Sequence, residues 1–68
     1  MKIRVNGEER IIQCNKSISL NETMKLLGYS SNTVIVELNN LIINSEEWKD
    51  KFIKNGDKIE IVSIVGGG

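Results

Sequence analysis

Polar and apolar positions alternate along Lys2-Ile3-Arg4-Val5, the period-two signature of a strand with one buried face. Asn6-Gly7 comes next, a pair that accepts the positive φ of a type I′ turn, and an apolar return strand containing Ile11 and Ile12 closes a first hairpin. The period then lengthens. Leu20, Met24 and Leu27 stand at i, i+4 and i+7, the spacing of one helix face. Ser19 precedes Glu22 by three residues, which makes a capping box: each side chain serves a backbone donor that the first helical turn leaves open. Gly28 is placed to end this helix of roughly two turns in the left-handed conformation.

β-Branched residues concentrate between Thr33 and Leu38, as suits a pleated strand. Asn39-Asn40 tolerates positive φ, and Leu41-Ile42-Ile43 completes a second hairpin. Ser45 is expected to cap a short helical turn through Glu46, Glu47 and Trp48. Asn55-Gly56-Asp57 is a turn signal ahead of a last strand that runs from Lys58 to about Val65. Hairpin, helix, hairpin and strand make an α+β chain.

One arrangement satisfies these elements economically. The last strand enters the middle of the sheet beside the first, and the helix covers a single face. That is the ubiquitin-like β-grasp: a mixed sheet of about five strands, one main helix and a short helical turn before the last strand. Leu20, Met24 and Leu27 would pack on Ile3, Val5 and alternate residues of the third and last strands. No proline, linker or repeat divides the chain, so the expectation is one domain over residues 1–65 followed by a flexible glycine tail, residues 66–68.

Composition narrows the function. A chain of 68 residues buries only about 60% of its unfolded surface, which leaves little room for a deep catalytic cleft and favours a carrier or binding role over an enzyme. At 40% hydrophobic residues it lies well above disordered chains. Nine basic against nine acidic residues give zero formal net charge, which argues against nucleic acid and anionic membranes as partners. Histidine is absent, so imidazole catalysis and histidine metal sites are excluded and no metal is expected. Cys14 has no disulfide partner, and no apolar run is long enough to span a bilayer; the cytoplasm is the expected compartment.

Single residues have competing readings. Cys14 reads as a core residue rather than a reactive thiol, because no second Cys or His stands near it in sequence. Trp48 reads as a plug closing one end of the core rather than a partner contact. Lys49, Lys51, Lys54 and Lys58 are interrupted by Asp50 and Asp57, a solvated charged rim rather than a basic patch. Val62, Ile64 and Val65 break the alternation of Lys58-Ile59-Glu60-Ile61; either they form a partner-docking surface, or a central strand covered on both sides needs them for packing.

The abrupt change from Ile61-Val62-Ser63-Ile64-Val65 to Gly66-Gly67-Gly68 is the main chemical signal. Three extended residues reach about 10 Å. Glycine has no Cβ, so such a tail passes a narrow channel and leaves its terminal carbonyl unhindered. A frayed end or a cloning remnant is the plain alternative, but a disordered tail usually opens with mixed polar residues and runs longer. The main-chain carboxylate of Gly68 is therefore the candidate reactive group, with Gly66 and Gly67 giving it access to a partner's active site. Nothing in these residues supplies an ATP site or a sulfur donor, so partners must bring both.

Residues 55–68, with their turn, apolar strand and triple glycine, resemble the end of the thiamine-biosynthesis sulfur carriers. Val36-Glu37-Leu38-Asn39, Ile42-Ile43 and Trp48 are similar to that family's middle hairpin and downstream tryptophan, and Lys2-Ile3-Arg4-Val5-Asn6-Gly7 to its opening. Asn44-Ser45 and Asn40 depart from residues frequent there. The resemblance implies that an adenylating enzyme, using ATP with Mg, activates Gly68 and that a sulfur-transfer enzyme converts the adenylate to a thiocarboxylate. Thiazole synthase then receives the sulfur, and the carrier itself binds no cofactor. The rivals are the small sulfur-carrying subunit of molybdopterin synthase, whose chains are usually longer, a ubiquitin-like protein modifier and a plain interaction module.

Overall fold

The computed structural model describes residues 1–13 and 17–64. Strands β1 (Lys2–Val5) and β2 (Glu8–Ile11) form the first hairpin, turned by Asn6 at φ 52° and Gly7 at φ 84°. Ile12 lies just past β2, yet its amide donates to the Met1 carbonyl at 2.8 Å and it is buried. Strands β3 (Ile18–Ser19) and β6 (Phe52–Ile53) pair as a separate two-stranded ribbon. Between them come helix α1 (Leu20–Leu27), β4 (Val34–Leu38), β5 (Leu41–Ile43) and a 3₁₀ helix over Ser45–Asp50, and β7 (Lys58–Ser63) ends the order. Among the described residues no helix is long and apolar enough to cross a membrane.

The main sheet runs β2-β1-β7-β4-β5. β7 lies parallel to β1 and antiparallel to β4, so the last strand fills the centre, as the β-grasp expectation required. Ile3, Val5, Val34, Val36, Ile43, Ile59 and Ile61 project from one face into a core shared with Leu20 and Met24. Leu27, the third residue of the expected helix face, is only partly buried at the rim. The Ser19 half of the capping box is present, with its Oγ accepting from the Glu22 amide at 3.0 Å, and Gly28 ends the helix at φ 89°.

Two expectations need correction. Ser45 does not cap the helical turn: it is that helix's first residue, Asn44 is the cap, and no side chain bonds there. The turn begins with the ordinary i→i+3 backbone bond of a 3₁₀ helix, the Glu47 amide donating to the Asn44 carbonyl at 2.8 Å. Asp57, read as rim charge, is only 5% exposed. Its carboxylate accepts from the Lys54 amide at 2.8 Å and from Asn39 Nδ2 at 3.1 Å, so backbone and amide donors offset its desolvation.

Candidate functional site

The site is built on β7, because its chain leads to the glycines. Both sides of the strand are secured along most of its length. The Asn6 amide donates to the Ile59 carbonyl at 2.9 Å, and Asn6 Oδ1 accepts from the Ile61 amide at 2.6 Å. On the other flank the Asn39 amide donates to the Lys58 carbonyl at 2.8 Å, and Asn39 Oδ1 accepts from the Lys58 amide at 2.9 Å. Pairing with β4 continues past the strand's end, where the Ile64 amide donates to the Thr33 carbonyl at 2.9 Å. The chain is thus tied into the sheet up to Ile64. Val65, Gly66, Gly67, Gly68 and, elsewhere, Cys14 lie outside the described residues.

Alternation on β7 decides which side chains face the helix. Ile59 and Ile61 point into the core, so Glu60 and Val62 point to the helix-free face. Val62 is 55% and Ile64 is 48% exposed. The helix-free face at this end of the sheet is therefore uncovered, contrary to the alternative in which both faces of the strand are packed. Val62 stands opposite Ile35 on β4, itself 41% exposed, and Ile42 on the neighbouring β5 is 65% exposed. Ile35, Ile42 and Ile64 also line one shallow groove of about 270 Å³ that reaches inward to Trp48.

Ile35 and Ile42 were not singled out from sequence. The signal was present, since each alternates with a core residue of its own strand, but it needed the register to set Ile35 beside Val62 and Ile42 on the same face one strand further out. Trp48 is a plug: 2% exposed, it donates from Nε1 to the Ile43 carbonyl at 3.1 Å.

The sequence profile of the ThiS family matches residues 3–68. The chain belongs to the ThiS family of thiamine-biosynthesis sulfur carriers. As a ThiS-family carrier it is not a catalyst. The crystal structure of the thiamine biosynthesis protein ThiS from Geobacter metallireducens superposes with a TM-score of 0.85 at 29% identity, covering 100% of both chains. The Trieres chinensis protein ycf40 is 39% identical over 64 residues, 94% of this chain and 85% of that one. A thiazole synthase of Paramagnetospirillum magneticum is 37% identical over 68 residues, all of this ThiS-family chain but 20% of that protein. In that organism a ThiS-like stretch and a protein named thiazole synthase are one polypeptide.

Proposed function

We propose that Gly68 carries the sulfur, with residues 1–65 as a folded handle and Gly66-Gly67-Gly68 as the tail that enters partner active sites. The observation that carries this reading is the ThiS-family match, which runs through to Gly68 itself. In the first step a carboxylate oxygen of Gly68 attacks the α-phosphorus of ATP, held with Mg by an adenylating enzyme, and pyrophosphate leaves. The terminal sulfur of a persulfide on a sulfur-transfer enzyme then attacks the acyl carbon and AMP leaves, giving an acyl disulfide; a second thiol attacks the donor's sulfur in that S–S bond, forming a disulfide with the donor and releasing the thiocarboxylate. The carrier's own contribution is steric: glycine carbons offer no obstacle to either attack.

Thiazole synthase is the acceptor in this reading, and the shared polypeptide in Paramagnetospirillum magneticum supports it. Tethered sulfur reaches that active site at high effective concentration while free sulfide stays low. All of these steps take place in the cytoplasm. Val62 and Ile64, together with Ile35 and Ile42, form the surface on which the adenylating enzyme docks, and Val65, outside the described residues, is assigned to the same contact by its place in the sequence. The test is growth without thiamine in a strain whose only carrier lacks Gly67 and Gly68. Loss of growth, restored by the full chain, is expected; normal growth would remove Gly68 from the chemistry.

A further inference from the structure

Strand β7 outruns its neighbour in the sheet. β1 pairs with it only at Arg4–Lys58 and Val5–Ile59, because Asn6, at φ 52°, turns the chain away into the first hairpin. The bonds on this flank fall on odd-numbered residues. The Asp57 carbonyl accepts from the Arg4 amide at 3.0 Å and the Ile59 carbonyl from the Asn6 amide at 2.9 Å, and the Ile61 amide donates to Asn6 Oδ1 at 2.6 Å. There the ladder stops. The Ile61 carbonyl and the Ser63 amide and carbonyl continue the alternation on the same flank, and among the described residues none of the three has a partner.

The other flank is closed. β4 pairs with β7 as far as Val34–Ser63, and the Ile64 amide donates to the Thr33 carbonyl at 2.9 Å, so even-numbered residues bond toward β4. Ser63 is exposed. The segment from which the tail departs is therefore held extended by one neighbour and offers a half-edge on its other side, with a donor and two acceptors already aimed outward.

Chain length says what comes to that half-edge. Four residues follow Ile64 and span at most about 14 Å, so an active site that takes Gly68 brings its walls to within that distance of Ile64, beside the open flank. Resting on the reading that Gly68 is adenylated, we infer that the adenylating enzyme lays an extended segment of its own along this flank, main chain to main chain. The Ser63 amide donates to a carbonyl of that segment, and amides of the segment donate to the Ser63 and Ile61 carbonyls. Such a contact fixes the direction in which the tail leaves the sheet. It is separable from the apolar contact made by Val62, whose side chain points to the helix-free face.

Proline distinguishes this contact from the fold. At position 63 it deletes an N–H that bonds nothing in the free chain and sets its ring on the open flank, while the ladder to β4 stays intact. The assay is ATP–pyrophosphate exchange by the purified adenylating enzyme, with the full-length carrier as the varied substrate. Ser63→Pro should raise the KM for carrier about tenfold, as the loss of one or two hydrogen bonds requires, with a urea midpoint close to wild type. Glu9→Pro, on the outer edge strand β2 far from the tail, should keep the wild-type KM. A Ser63→Pro KM within twofold of wild type, or an equal rise in Glu9→Pro, overturns the inference. A second measurement needs no variant: by NMR, the Ser63 amide of the wild-type carrier should exchange with solvent quickly in the free chain and at least about tenfold more slowly in the complex with the enzyme. Equal exchange in both states also overturns it. Wild-type carrier that elicits no pyrophosphate exchange above the enzyme alone sinks the adenylation reading instead, and the strand contact with it.

Discussion

Asn39 and Asn40 occupy the same two-residue turn, both at positive φ, 50° and 74°, yet only Asn39 has a described role for its side chain. Its Oδ1 accepts from the Lys58 amide at 2.9 Å and its Nδ2 donates to the buried Asp57 carboxylate at 3.1 Å. Replacing each by glycine keeps the backbone conformation accessible and adds a similar chain-entropy term in both variants. The difference between them therefore isolates the side chain. The bond to the Lys58 amide is worth about 0.5–1 kcal/mol and the bond to a carboxylate about 1.5–2 kcal/mol, the low part of the range for charged partners because Asn39 is exposed. Asn39→Gly should thus be about 2–3 kcal/mol less stable than Asn40→Gly.

That is a large share of the total, since a chain of this length is stable by about 3–10 kcal/mol. Urea unfolding followed by the fluorescence of Trp48, buried in the core, measures it directly, and equal m-values would show that the difference is one of stability. Coincident midpoints for the two variants would refute the claim that the Asn39 side chain, through Lys58 and Asp57, anchors the flank of β7.

Core and capping positions give sharper contrasts. Met24→Ala, at a residue 1% exposed, should cost about 2–5 kcal/mol, whereas Leu26→Ala, 63% exposed on the same helix, should stay within about 0.5 kcal/mol; paired urea titrations check both. Gly28→Ala meets no steric obstacle, because nothing lies within 4 Å of an added Cβ. Its loss should be the left-handed backbone cost alone, about 1–2 kcal/mol, which for a domain this small lowers Tm by roughly 4–16 °C; an unchanged melting curve would contradict the cap assignment.

Much of the fold was legible because local signals agreed with the tertiary arrangement. Asn6-Gly7, Ser19, Gly28 and Asn39-Asn40 each act within a few residues, where torsional preference and capping chemistry decide the outcome. The β3–β6 ribbon was not legible: two residues per strand carry no period, and Ile18 meets Ile53 only after the helix and second hairpin are in place. Ser45 misled for a related reason, since a good capping residue was overruled by the backbone path into the 3₁₀ helix. Asp57 was misread because a carboxylate beside lysines looks solvated in sequence, and its true donors, the Lys54 amide and Asn39 Nδ2, meet there only through the turn and a contact across 18 residues. On the exposed helix-free face, Val62 and Ile64 could be picked out by their break in alternation, while Ile35 and Ile42 required the register of β4 on β7 and of β5 on β4.

The central proposal is that the end of the chain, not the globular body, does the chemistry. Intact-mass spectrometry of the full chain after incubation with cell extract, ATP and cysteine tests it most directly. A mass gain equal to exchanging one oxygen for sulfur, mapped by fragmentation to Gly68, is the predicted result. A carrier that returns unmodified from an extract active in thiazole formation, or that acquires sulfur at Cys14 instead, would contradict it.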